Sequence, residues 1–163
     1  MVLGRITDRY MGAYKLDIND RFEATLESEA FQGATKRNKP NLELGDLVYC
    51  KVDKSTSYMQ PVAVCTSIRN TKAWHTGQAT FGALKKGVVY DCEIEMCQKM
   101  LSRAGKDFLK QLGKKVSFEL IVGYNGRIWI NAEEPKEMVF IFNVMKVYND
   151  NPSEAEELIA SLK

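Results

Sequence analysis

Hydrophobic positions in the first 70 residues fall in short runs separated by turn residues, and two of these runs alternate with period two. Val2-Leu3-Gly4-Arg5-Ile6-Thr7 leads to a Gly12-Ala13 turn, after which Tyr14-Lys15-Leu16-Asp17-Ile18 alternates throughout. Such alternation predicts half-buried strands, because successive side chains point to opposite faces of a sheet. Asn19-Asp20 supplies the next turn, and Phe22-Glu23-Ala24-Thr25-Leu26 predicts a third strand. Leu44-Gly45-Asp46 turns the chain into a fourth strand over 47–52, and 61–65 predicts a fifth. A longer polar connection, 33–41, separates the third from the fourth and carries Lys36-Arg37-Asn38-Lys39-Pro40. Five short strands with one long, helix-poor connection predict a small OB-type barrel.

From about residue 80 the period changes. The segment 88–94 predicts a strand. Helical spacing follows at Met96, Met100 and Leu101, breaks near Gly105, and resumes at Phe108, Leu109 and Leu112 before Gly113. Strands over 116–122 and 127–131 come next, and Pro135, tolerated in a first helical turn, opens a helix that runs to about Tyr148. The predicted order is β-α-α-β-β-α, that of a eukaryotic-type KH domain. Ser153 and Glu156, after Pro152, have capping-box spacing and predict a terminal helix from Ser153 to Lys163. Within the helix over 136–148, Met138, Ile141, Phe142 and Met145 mark one face, while Val139, Phe140, Val144 and Val147 carry the apolar surface around it. A helix apolar on more than one side is buried on more than one side. One face should pack on the sheet; the barrel, the terminal helix or another protein should meet the other.

A chain of 163 residues has room for two small domains. Hydrophobic residues at 45% and charged residues at 27% are ordinary values for a soluble globular protein, and no apolar run is long enough to span a membrane. The opening MVLGRITDRY has neither the apolar core of a signal peptide nor the amphipathic character of a transit peptide. A net charge of +2 does not by itself predict a nucleic-acid binder. Its distribution adds something: residues 72–115 hold nine Lys/Arg against four Asp/Glu, and residues 116–163 hold four against eight. These are either solvated faces or a polar surface field.

Cys50, Cys65, Cys92 and Cys97 form no CxxC pair, and His75 is the single histidine, so no zinc site is expected. Buried, reduced thiols of a cytosolic or nuclear protein are the simpler reading. No cofactor is expected either, since no phosphate-binding glycine loop is present, and no Ser/His/Asp or Cys/His set points to catalysis. Asp91, Glu93 and Glu95 alternate on a predicted strand, where they would either bind a metal or form an exposed face.

Gly4-Arg5-Ile6, Met11-Gly12-Ala13-Tyr14 and Leu44-Gly45-Asp46-Leu47-Val48 resemble the first, second and fourth strands of S1 domains. The stretch from Lys36 through Val52, together with the GxNG signature in Val122-Gly123-Tyr124-Asn125-Gly126-Arg127-Ile128-Trp129-Ile130, is similar to the S1–KH cap subunits of the RNA exosome. The resemblance covers essentially the whole chain. It implies an α+β protein, with a five-stranded S1-type OB barrel over 1–70 followed by a β-α-α-β-β-α KH-like domain with a C-terminal helix over 71–163. That family also carries a β-rich domain ahead of the barrel, which implies that this sequence is a piece of a longer protein.

OB barrels bind single strands with aromatics that stack on bases and cations that track phosphates. The candidates are Tyr10 and Tyr14, with Arg9, Lys15 and Arg21 beside them. Tyr14 matches the family's exposed stacking aromatic, and a structural tyrosine is the alternative. Met11 stands where many S1 domains have another aromatic, and the family's third-strand histidine is absent. Lys36, Arg37 and Lys39 would contact phosphates, or an acidic partner, or solvent alone. KH domains grip the nucleic-acid backbone with a GXXG loop between two helices. Here that junction, Ser102-Arg103-Ala104-Gly105-Lys106, has one glycine, which leaves Arg103 and Lys106 as the KH-side candidates. Gly123-Tyr124-Asn125-Gly126 falls between strands instead. Asn-Gly there is a hairpin signal, both residues tolerating positive φ, so Gly123, Asn125, Gly126 and Trp129 are read as a structural motif and direct RNA contact as the alternative.

The resemblance implies a non-catalytic subunit of the nucleus, nucleolus included, and cytoplasm. It would contact exosome ring subunits and help feed RNA 3′ ends into the complex, in support of rRNA processing and RNA degradation. Its partners would be single-stranded RNA, bound weakly by this chain alone, and ring subunits, with no membrane and no small-molecule substrate. The eroded S1 aromatics and KH loop leave open a structural adaptor whose RNA surfaces are vestigial. A bacterial-type S1–KH transcription or translation factor is the third reading, against which the GxNG hairpin and residues 38–52 argue.

Overall fold

A computed structural model describes residues 1–56 and 58–161. Residues 162 and 163, the end of the expected terminal helix, lie outside the described residues. The chain divides into two compact units, Met1–Lys85 and Lys86–Lys163.

The first unit is the barrel. Its strands are β1 (Val2–Tyr10), β2 (Ala13–Asp17), β3 (Ala24–Phe31), β4 (Leu47–Thr56) and β5 (Met59–Cys65), in the order β1-β2-β3-β5-β4. β4 returns to pair with β1, from Val2↔Cys50 to Arg5↔Leu47, and this closes the sheet on itself. All neighbours run antiparallel except β3 and β5, which are parallel. Closure leaves no free edge between the five strands and buries the inward residues Ile6, Leu16, Leu26, Val48 and Cys50 completely or nearly so. A sixth strand, β6 (Gly82–Leu84), pairs with Leu47–Tyr49 of β4. The barrel's sheet therefore extends past residue 70, where the sequence pattern had placed the division. Three residues without alternation give no strand signal.

The second unit runs β7 (Val88–Asp91), α1 (Ile94–Leu101), α2 (Arg103–Gly113), β8 (Phe118–Val122), β9 (Arg127–Ala132), α3 (Pro135–Asp150) and α4 (Pro152–Ser161). This is the β-α-α-β-β-α order, with one helix added. The sheet is antiparallel in the order β7-β9-β8. Its core joins Ile128 and Ile130 of β9 to Met100, Phe108, Ile141 and Met145 of the helices, and Phe108 stacks on Tyr148 at 4.0 Å.

Three local expectations change. The helices break at Ser102, not Gly105, which lies inside α2. Asp91 ends β7, Glu93 caps α1 and Glu95 lies in its first turn, so they do not alternate along one strand. Among the described residues no group of three or more His, Cys, Asp or Glu could hold a metal ion. The last helix begins at Pro152, ahead of the expected Ser153 cap. Its Ala155 and Ile159 are buried in the same cluster as Val144 and Met145, so the terminal helix supplies a second cover for α3.

Candidate nucleic-acid interface

The β1–β2 hairpin and the bend that follows β2 build one outer face of the barrel. Register pairs Arg9 with Tyr14 and Tyr10 with Ala13, with an irregularity between Ile6 and Asp8. Along β2 the inward set is Tyr14 and Leu16, which leaves Lys15 on the outer side. Tyr10 is 45% exposed, and the Lys15 ammonium lies over its ring at 5.4 Å from the centroid. A hydrogen bond to Tyr10, then the charges of Tyr10, Glu23 and Asp8, hold the Lys15 ammonium above its ordinary pKa. The cation is thus fully charged at neutral pH beside an accessible ring.

A second pair lies beyond the far end of β2. The bend at Asp20–Phe22 turns Phe22 outward, 36% exposed, and the Arg21 guanidinium lies 5.2 Å from its ring centroid. Glu23, next to Phe22 in the chain, accepts from the Thr7 hydroxyl at 2.7 Å and faces Lys15 at 3.8 Å. Two exposed aromatics, each beside a cation, are the elements from which a stacking platform for single strands is made. Sequence reading missed Phe22, because its place in the run Phe22-Ala24-Leu26 reads as inward; the bend before β3 breaks that phase.

Tyr14 does not belong to this face. Its ring is only 4% exposed, its hydroxyl donates to the Pro40 carbonyl at 2.8 Å, and it accepts from the Leu42 N–H at 3.3 Å. A ring enclosed this way has no face to offer a base, and the expected stacking role is corrected to a structural one. Arg9 is also engaged, donating to Asn41 Oδ1 at 2.6 Å and to the Leu42 carbonyl at 3.4 Å. Tyr14 and Arg9 together anchor the end of the long connection. That connection then presents its tip: mutual backbone bonds between Thr35 and Asn38 (2.9 and 3.1 Å) close a tight loop, and Lys36, Arg37 and Lys39 are exposed on and beside it.

The KH-side junction is built differently. Ser102 is both the end of α1 and the N-cap of α2, so no loop separates the helices. Its N–H goes to the carbonyls of Gln98 and Lys99, the Gly105 N–H donates to Ser102 Oγ at 3.1 Å, and the Lys106 N–H to the Ser102 carbonyl at 3.0 Å. Gly105 is required for close approach, since a Cβ there would lie 2.7 Å from Met100 Cα. The lone glycine serves helix packing, and these donors are consumed within the fold. Arg103 and Lys106 are exposed in the first turn of α2 and can offer side-chain charge only.

Gly123–Gly126 joins β8 to β9. The Gly123 N–H donates to the Arg127 carbonyl at 2.8 Å, and Gly126 alone in this turn has positive φ (75°). This is a three-residue loop ending in a left-handed residue, so Asn125 does not use the left-handed conformation expected of it. The Gly126 carbonyl accepts from the Cys92 N–H at 2.8 Å, and Trp129, 4% exposed, donates to the Lys86 carbonyl at 3.0 Å. The motif holds the strands of the sheet to the segment around them.

These features define a class: a tandem of an S1-type OB barrel and a KH-like domain. Residues 1–77 match the family described as exosome complex component RRP40, S1 domain, and residues 87–136 match a KH domain family. The chain belongs to the RRP40 family. An exosome complex component rrp40 of Dictyostelium discoideum is 37% identical over 150 residues, covering 91% of this chain and 59% of the relative. The Schizosaccharomyces pombe exosome complex component rrp40 is 32% identical (89% and 58% covered), and the Homo sapiens RRP40 is 27% identical (98% and 56%). The chain spans somewhat under three fifths of the length of these relatives. A solved structure of an exosome complex RNA-binding protein matches the fold with TM-score 0.75 at 18% identity, covering 99% of this chain and 90% of the other.

Proposed function

We propose that this chain is the RNA-facing part of a non-catalytic exosome cap subunit, which guides single-stranded RNA toward the ring while contacting ring subunits. The observation that carries the RNA role is the outer barrel face, where Tyr10 and Phe22 are exposed with Lys15 and Arg21 over their rings. Stacking on two bases, with Lys36, Arg37 and Lys39 reaching phosphates, gives a short, sequence-tolerant contact of modest affinity. Relatives named as exosome components support the assembly role, and with it a nuclear and cytoplasmic location. Hydrolysis belongs to other subunits in this reading.

The second reading is a structural adaptor, favoured by the burial of Tyr14 and by the helix junction at Ser102 that leaves no KH loop. Titrating a fluorescent single-stranded RNA at several salt concentrations separates the two. RNA guidance predicts measurable binding at low salt that weakens steeply, with a log–log slope of about −0.7 per phosphate contact. No binding at about 50 mM salt leaves the adaptor.

A further inference from the structure

Outside the RNA face, two of the four cysteines come together. Cys92, in the segment between β7 and α1, has its Sγ 3.4 Å from Sγ of Cys97 in the first turns of α1. Cys97 is fully buried, whereas Cys92 is partly exposed and lines an open cleft of about 400 Å³ with Asp91, Glu93, Met96 and Lys146. Cys50 and Cys65 also stand opposite each other, one step beyond the Lys51↔Val64 pair of β4 and β5, but both are enclosed in the barrel core and closed to a reagent. The geometry points to Cys92 and Cys97 as a dithiol modification site that reacts with small-molecule disulfides and closes to an intramolecular bond.

Its parts are matched to the two roles such a reaction needs. The Cys92 side is reached from solvent through the cleft; the Cys97 side is withheld from solvent but in contact with the sulfur it must attack. The hydrogen bond between the two thiols raises Cys92 and lowers Cys97, and a backbone hydrogen bond from Gly126 lowers Cys97 further, while burial opposes this. Of the two thiols Cys97 is therefore the readier to ionise; once ionised it serves as base toward the Cys92 thiol and afterwards as the resolving nucleophile. In the first step the Cys92 proton passes to Cys97, and the Cys92 sulfur attacks one sulfur of the reagent. The reagent's S–S bond breaks, and one thiolate leaves with the electron pair and is protonated by solvent. In the second step Cys97 gives up its proton to solvent and attacks the Cys92 sulfur, the mixed bond breaks, and a second thiolate leaves and takes up a proton. Two cysteine thiols are oxidised by two electrons, and one disulfide is reduced to two thiols. Closure requires the sulfurs to approach to about 2.05 Å, a shift that side-chain rotation and the non-helical segment at Cys92 can absorb. The Cys92 N–H also donates to Gly126 (2.8 Å), so the bond would form on the segment that already holds the glycine turn.

The test uses the full chain with bis(2-hydroxyethyl) disulfide, a neutral probe suited to a cleft of mixed charge, followed by acid quenching, alkylation in denaturant, intact mass and peptide mapping. The wild type should lose two hydrogens and two alkylatable thiols, mapped to Cys92 and Cys97. Cys97→Ser should stop at one hydroxyethylthio adduct on Cys92, and Cys92→Ser should react at least ten-fold more slowly. Melting curves establish that both variants are folded, and Cys97→Ala replaces Cys97→Ser if that variant is not. Accumulation of the mixed adduct on wild-type Cys92 with Cys97 still free would overturn the proposal, as would a Cys50–Cys65 bond in its place or wild-type reactivity in Cys92→Ser.

Discussion

The outer face of the barrel and the helix junction of the second unit are the two places where S1 and KH domains meet nucleic acid, and this chain treats them in opposite ways. On the barrel, Tyr10 and Phe22 stay exposed with cations over their rings. At the junction, the loop shrinks to Ser102 alone, its neighbours' N–H groups bond internally, and Gly105 is used to bring α1 and α2 together. A domain's fold can thus be kept while its grip is spent on packing. What decides is where the polar backbone groups and the aromatic faces go, and not the domain's class.

The comparison can be broken most forcefully at Gly105. Gly105→Ala should destabilise the second unit by about 3 kcal/mol, because the added Cβ meets the α1 backbone and cannot be relieved by side-chain motion. Denaturant unfolding checks this, and a neutral effect would return the junction to the status of an open loop. Tyr10→Ala with Phe22→Ala should lower RNA affinity by about 2 kcal/mol for each base that loses its platform, with melting temperature nearly unchanged. Tyr14→Phe should do the reverse. It leaves the Pro40 carbonyl and Leu42 N–H without their partner and costs about 1 to 2 kcal/mol of stability, with little direct effect on affinity.

A further effect concerns pH and is spread over several units. Burial pushes the Cys50 thiol up to about 12 from 9.0. The unfolded chain therefore releases this proton first, so the stability from keeping the thiol neutral is complete below pH 9.0 and is lost as pH rises toward about 12. Denaturant titrations over that window should show stability falling by at most about 1.4 kcal/mol per pH unit from this group. Cys50→Ala should flatten the slope.

Much of the fold was legible because its signals are local. Alternation marked β2 and β3, apolar runs between turn residues marked the other barrel strands, and the change of period near residue 80 marked the second unit. Tyr14 carried its own answer: it shares the period-two phase of Leu16 and Ile18, the inward side of β2, although the S1 resemblance pointed to an exposed ring. What could not be read depends on distant partners. β6 is a strand only because Leu47–Tyr49 accepts it. A glycine reads as a helix breaker, yet Gly105 lies inside α2 and is selected by contact with Met100. Phe22 was hidden by a bend, and Arg9 by its bond to Asn41, 32 residues away.

The most direct test of the account measures single-stranded RNA affinity at low salt for three proteins: the unaltered chain, Tyr10→Ala/Phe22→Ala, and Arg103→Ala/Lys106→Ala. The account predicts a loss of at least ten-fold for the barrel pair and less than about three-fold for the junction pair, whose exposed side chains supply charge without a backbone grip. A large loss at Arg103 and Lys106 with affinity kept in the barrel variant would contradict it.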